Sequence, residues 1–177
     1  MSLTSPAERD PGEAPAPTKL LFDLSTIDMN GVYATRQQVE EWIPHRGIMT
    51  MIDEVIYCSP DKTQGVARRR IRDDEFWVSG HFPGKPVFPG VLMIESAAQL
   101  ACYMFITRKP APTLVAFLRI ENAAFRSAVV PGDELIVLAR EVKAQKRRFI
   151  SDIMGVVGDR VCFDARISGM STEQRSY

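Results

Sequence analysis

Ser79-Gly80-His81-Phe82-Pro83-Gly84-Lys85-Pro86-Val87-Phe88-Pro89-Gly90 is the stretch around which the chain is organised, and Val91 to about Thr107 follows it without a break. The first part sets three prolines and three glycines around one histidine. Each proline restricts its own φ, so this segment is a shaped loop and cannot be helix interior. The second part holds neither Gly nor Pro and predicts one helix. Pro89-Gly90 marks its start, and Arg108, Lys109 and Pro110 its end. From Val91 to Ile106 almost every position is apolar, and a helix apolar all round is a buried one. Glu95 and Gln99 interrupt it, and it is too short to span a membrane.

Glu95 and Gln99 lie four apart and share one helix face. A carboxyl in apolar surroundings is costly unless it is paired or neutral. Burial therefore favours the protonated acid at Glu95. The chain has two histidines, and His81 stands just before the rigid loop that feeds this helix. A neutral histidine beside a protonated carboxyl makes a base and an acid. The competing reading is a structural Glu tied to Gln99, with His81 satisfying loop carbonyls.

Working outward, 177 residues with 45% apolar and 25% charged residues predict one globular domain. Twenty-two basic against 22 acidic residues give no net charge, which speaks against a nucleic-acid partner. Cys58, Cys102 and Cys162 are scattered and flanked by apolar residues; they read as buried thiols in a reducing compartment. No run is long enough for a membrane span and no signal-peptide order opens the chain, so the cytoplasm is the expected location. With two histidines and no clustered cysteines, no metal site is expected.

Residues 1–18 carry Pro6, Pro11, Pro15 and Pro17 with no periodicity, and read as a disordered tail. Residues 19–38 form an N-terminal extension, with Leu20 to Tyr33 expected to wrap against the domain. Residues 39–170 are the domain itself and 171–177 a C-terminal tail. Thr35-Arg36-Gln37-Gln38 matches a capping box and predicts a short helix through Trp42. Strands are expected over 49–57, 63–72, 114–120 and 123–130. Three more, over 135–142, 149–157 and 161–168, should form an antiparallel meander. Gly158-Asp159 makes the hairpin between the last two. The order implies an α+β fold, a curved antiparallel sheet wrapped on one long central helix.

The run Gly80-His81-Phe82-Pro83-Gly84-x-Pro86-x-x-Pro89-Gly90-Val91-Leu92-x-x-Glu95-x-x-x-Gln99 resembles the active-site motif of the β-hydroxyacyl-[acyl-carrier-protein] dehydratases of FabZ type. Ile43-Pro44-His45-Arg46, Met51-Ile52-Asp53-Glu54-Val55, Ala124-Phe125-Arg126 and Val129-Val130-Pro131-Gly132-Asp133 extend the likeness over roughly Val39 to Gly169. The resemblance implies a hotdog fold. It implies dehydration of 3-hydroxyacyl thioesters on acyl carrier protein to trans-2-enoyl thioesters in fatty-acid biosynthesis, with no cofactor. By position, His81 would remove the α-proton and Glu95 would protonate the leaving hydroxyl. Gln99 would hold the Glu95 carboxyl, and the Val87 carbonyl would orient the His81 ring. The Gly90 N–H would bind the thioester carbonyl, with Val91 beside it in the substrate site. The family shares each site between two subunits, which implies a homodimer or a trimer of dimers. The related FabA type carries Asp where this chain has Glu95, which favours dehydration without isomerisation.

Departures lie in the first 38 residues and in Met49-Thr50-Met51, and chain-length preference stays open. Arg68-Arg69-Arg70 and Lys146-Arg147-Arg148 read either as solvated strand ends or as a dock for an acidic carrier protein. His45 reads as a loop histidine rather than a catalyst. Two rival functions share the fold: an acyl-thioester hydrolase that activates water, and a non-catalytic hotdog subunit.

Overall fold

The computed structural model describes residues 19–172. Within them, seven strands form one antiparallel sheet that curls around a single long helix. The strands are β1 (Ala34–Thr35), β2 (Glu54–Cys58), β3 (Gln64–Arg70), β4 (Val115–Phe125), β5 (Glu134–Ala144), β6 (Arg148–Val157) and β7 (Arg160–Ser171). Their order across the sheet is β1-β2-β3-β5-β6-β7-β4, so β4 forms one edge. The short helix α1 (Arg36–Glu40) follows β1, and the central helix α2 (Gly90–Ile106) lies between β3 and β4 in the chain. This is the α+β hotdog arrangement that the sequence predicts.

Helix α2 forms because its side chains have nowhere else to go. All its residues from Met93 to Ile106 are buried except Glu95. Each large apolar side chain removed from water contributes roughly 2 kcal/mol. The helix lies so close to the sheet that a Cβ on Gly65 would stand 2.5 Å from Met104 Sδ. Gly65 and Ala67 of β3 face it, against Ala139 and Val137 of β5. At the far end, Lys62 Nζ donates to the Thr107 carbonyl at 3.1 Å, where a cation suits a helix C-terminus. The expectation of a helix buried all round fails at its start. Val91 is 68% exposed and the Glu95 side chain 29% exposed, so the face they share is open.

The other face of the sheet carries a second apolar cluster, built from Ile56, Val66, Leu138, Met154 and Val156. Leu20, Phe22, Leu24, Ile27 and Met29 pack onto it, which is the expected wrap. Arg140 donates to the Leu21 carbonyl at 2.8 Å and Arg68 to the Met29 carbonyl. The boundary expected at residue 39 falls inside α1, whose preceding strand pairs with Val55 and Glu54. The tail expected over 1–18 lies outside the described residues. At the other end β7 continues to Ser171, the first residue of the tail expected over 171–177, of which 173–177 lie outside the described residues.

Three local expectations change. The capping box forms at Thr35 and Gln38, but α1 ends at Glu40. The strand expected over 49–57 begins only at Glu54. Gly47 has φ +60, Gly47–Met49 is a 3-10 turn, and the Gln99 side chain takes the main-chain groups of Met49 and Met51. The strands expected over 114–120 and 123–130 are one, β4, with a register shift at Asn122 (φ 53). Beyond Phe125 the chain leaves the sheet, with Arg126 N–H and Ser127 N–H both donating to Cys162 O. The meander β5-β6-β7 forms as predicted.

Candidate active site

The histidine loop is held from inside. Phe82 and Lys85 exchange main-chain hydrogen bonds at 3.2 and 2.9 Å across Gly84, whose φ is +73. Val87 N–H donates to His81 O at 2.7 Å, and Phe88 N–H to Val129 O at 2.7 Å. The imidazole stacks on Phe82, with ring centroids 4.2 Å apart. His81 Nδ1 lies 2.7 Å from the Val87 carbonyl oxygen. A carbonyl can only accept, so Nδ1 carries a proton, and in the neutral ring Nε2 keeps the lone pair. The tautomer is thereby set to that of a base.

A buried ion pair braces the loop from behind. Arg69, 2% exposed, reaches Glu75, whose Oε2 also accepts from Trp77 Nε1 at 3.1 Å. Glu75 Oε1 takes Arg72 N–H at 3.0 Å. The Trp77 and Phe88 rings meet at 5.3 Å, and the Arg69 guanidinium stands 5.9 Å from the Phe88 centroid. Burial draws the Arg69 pKa down, with Glu75 and Asp53 opposing it.

Beside the loop, α2 begins at Gly90 with no side-chain cap and no acidic residue in its first turn. The first N–H groups of a helix have no intrahelical acceptor and carry partial positive charge. Any side chain at Gly90 would meet Phe125, since an added Cβ would stand 2.6 Å from its ring. A cleft of about 480 Å³ opens here, lined by His81, Gly90, Val91, Met93, Phe125 and Arg126. A cleft of about 440 Å³ near Trp42 and Leu114 holds none of the expected site residues.

One turn further along α2, Glu95 Oε1 accepts from Gln99 Nε2 at 2.8 Å. Gln99 is 1% exposed and fully used: its Nε2 also donates to Met49 O at 2.8 Å, and its Oε1 accepts from Met51 N–H at 2.8 Å. One amide thus holds both the carboxyl and the 47–51 segment. His45 is there too, with Nε2 3.2 Å from Glu95 Oε1. The sequence predicts only a loop histidine at His45. Its neighbour on α2 is 50 residues away along the chain, and no local spacing signals that contact. No hydrogen bond or ion pair joins His81 to Glu95 among the described residues.

The basic runs divide. Arg68 and Arg69 are 8% and 2% exposed and bound in ion pairs, Arg68 to Glu54 and Glu134. They brace the fold and offer no charge to a partner, because Arg69 points under the histidine loop and Arg68 under the N-terminal wrap. Arg70 is exposed. Lys146, Arg147 and Arg148 are exposed on the β5–β6 hairpin, where Lys146 O accepts from Lys109 just past the end of α2. That end lies about 25 Å along the helix from Gly90. Arg126, in the cleft wall and paired with Asp164, is a basic residue of the site that the sequence alone does not mark as one.

Cys58, Cys102 and Cys162 are buried and free. Burial pushes the Cys102 thiol up to about 12 and the Cys58 thiol to about 11, so neither is a nucleophile at neutral pH. Among the described residues, no cluster of His, Cys, Asp or Glu is arranged to hold a metal, and no helix is long and apolar enough to cross a membrane.

Comparison with known proteins places the sequence in one family. The family model of the FabA-like domain matches residues 43–166. The chain is 36% identical over 128 residues to the 3-hydroxyacyl-[acyl-carrier-protein] dehydratase FabZ of Desulfotalea psychrophila, covering 71% of this chain and 85% of that protein. It is 31% identical over 144 residues to the FabZ of Ralstonia nicotianae, covering 79% and 87%. Among solved structures it is similar to the dehydratase heterocomplex ApeI:P from Xenorhabdus doucetiae, with TM-score 0.67, 18% identity, and 77% and 91% of the two chains covered. A hypothetical thioesterase from Streptococcus pneumoniae, solved with coenzyme A, gives TM-score 0.53 at 13% identity, covering 70% and 88%. At such identities these last two likenesses bear on the fold alone.

Proposed function

This chain belongs to the FabA-like family, and from that premise we propose that it is a 3-hydroxyacyl-[acyl-carrier-protein] dehydratase, converting carrier-bound 3-hydroxyacyl thioesters to trans-2-enoyl thioesters. The observation that carries the chemistry is the His81–Val87 hydrogen bond, which leaves Nε2 as a bare acceptor at the cleft wall.

In this reading His81 Nε2 takes the α-proton. The α-carbon is acidic enough only if the enolate oxygen is stabilised, and the uncapped N-terminus of α2 at Gly90 and Val91 supplies donors for it. Hydroxide is a poor leaving group, so Glu95 donates its proton to the 3-hydroxyl, which departs as water. Gln99 holds the Glu95 carboxyl and the segment beside it. No cofactor takes part in these steps.

The same reading makes the protein a homodimer or a trimer of dimers, with His81 of one chain facing Glu95 of another. Three observations support it. Glu95 and Val91 lie on an open helix face. The edge strand β4 exposes Phe117, Leu118, Ile120 and Phe125. Unpaired edges of this kind invite another strand. Within one chain, His81 and Glu95 have separate partners. For docking an acidic carrier, Arg70 and Arg126 stand nearer the cleft end of α2 than the 146–148 run does.

The test is incubation with a 3-hydroxyacyl carrier-protein thioester. Enoyl absorbance without free thiol is the expected result. Free thiol without enoyl product would indicate the hydrolase, and neither product the non-catalytic subunit.

A further inference from the structure

The contacts around Glu95 are one-sided. His45 Nε2 at 3.2 Å and Gln99 Nε2 at 2.8 Å both approach Oε1. Among the described residues no hydrogen bond or ion pair reaches Oε2. We infer that His45 is a positioning residue for Glu95: its Nε2–H and the Gln99 amide together occupy Oε1, so the transferable proton sits on Oε2. The inference rests on the dehydratase reading, in which Glu95 is the acid.

Oε1 is thus the crowded oxygen, hydrogen-bonded by the Gln99 amide and at ion-pair distance from His45 Nε2. The proton of the neutral acid then has one place left, the oxygen turned away from His45 and Gln99. When Glu95 acts, the Oε2–H bond breaks as the substrate C3–O bond breaks. The proton goes to the departing oxygen and completes a water molecule. The carboxylate left behind keeps two donors on Oε1, which stabilise its new charge.

His45 Nδ1 is buried and has no hydrogen-bond partner, so the ring meets its polar surroundings through Nε2 alone. With its proton on Nε2, the ring turns a donor toward Glu95. The backbone around the ring is fixed as well. Arg46 Nη1 bonds the carbonyls of Ile43 and His45 at 2.7 and 2.6 Å, and Gln99 clamps Met49 and Met51 just downstream. A histidine serving only its own loop would bond loop carbonyls; the polar contact of this ring is the carboxyl on α2.

The experiment measures kcat and KM of the full chain on a 3-hydroxyacyl carrier-protein thioester for wild type, His45→Phe, His45→Gln and His45→Asn, with a melting curve for each. Gln places an amide nitrogen where Nε2 was, and Asn is too short to do so. Loss of kcat of about 10- to 100-fold in the Phe variant, with KM little changed and activity largely kept in the Gln variant, is the expected result. Wild-type kcat in a folded Phe variant would overturn the inference. If the Phe variant does not fold, the other two decide: Gln well above Asn supports it, and equal rates overturn it. An inactive wild type would instead overturn the dehydratase reading itself.

Discussion

Two loops in this molecule each carry a histidine, and they are held in opposite ways. The 79–90 loop is tied by its own main chain, from His81 to Val87 and from Phe82 to Lys85. The 43–53 loop is tied by side chains from elsewhere. Gln99 takes Met49 and Met51, Glu40 accepts from Thr50 Oγ1 at 2.8 Å, and Arg36 donates to Gly47 O at 2.7 Å. The self-tied loop leans on distant residues through the Arg69–Glu75 brace behind it and the Phe88–Val129 main-chain bond. A loop tied from outside is only as well placed as its anchors.

The largest expected effects fall on the acid and the base. His81→Ala and Glu95→Gln should each lower kcat by on the order of 10²-fold or more with little change in melting temperature. Mixing the two inactive proteins under conditions that exchange subunits should restore activity, because one site of each mixed dimer would hold both intact residues. Two inactive variants that form a verified mixed dimer without activity would remove the shared site and leave the chemistry standing.

Next comes the brace behind the self-tied loop. Arg69→Met leaves the Glu75 carboxylate buried without its cation and should cost about 3–5 kcal/mol in denaturant unfolding. A loss below 1 kcal/mol would show that the loop does not depend on this pair. Gln99→Leu should cost somewhat less, about 2–4 kcal/mol, by orphaning the Met51 N–H and the Met49 carbonyl. It sharpens the contrast: hydrogen exchange should quicken at Met51 and not at Val87. Equal quickening at both would mean that the two loops move as one.

The smallest effect is set by pH. The Thr50 hydroxyl holds the Glu40 carboxyl below its ordinary value of 4.5; burial opposes it, and the Arg36 guanidinium helps. The folded value is therefore the lower one, and an unfolded chain binds the proton first. The tie is complete above about pH 4.5 and is lost as pH falls through the folded value. In acid, Thr50 and Met51 amides should lose protection before Val87 and Phe88 amides do, after correction for intrinsic exchange. Simultaneous loss would contradict the assignment.

The same contrast explains what could be read from the sequence. The His81 loop and α2 are written in neighbouring residues, prolines and glycines first and an unbroken apolar run after them. The meander was legible for the same reason. His45 was not, because its position depends on a helix face 50 residues away. The strand expected across Met49 to Asp53 failed likewise: its apolar residues fit a strand, yet a side-chain amide from α2 took the bonds a neighbouring strand would have made. The arginine run misled because three like residues on one strand alternate in direction, and burial of two of them depends on Glu54, Glu75 and Glu134 from three separate segments.

The N-terminal wrap has a consequence for how its sequence can drift. Among the described residues, Arg140 and Arg68 grip this segment by the carbonyls of Leu21 and Met29 and by no side chain of the segment itself. Every amino acid brings the same carbonyl. Substitutions at those two positions leave the polar grip intact provided the replacement is apolar enough to sit on the second cluster. The burden of invariance thus falls on the two arginines in the sheet, while the segment that they hold is free to be rewritten.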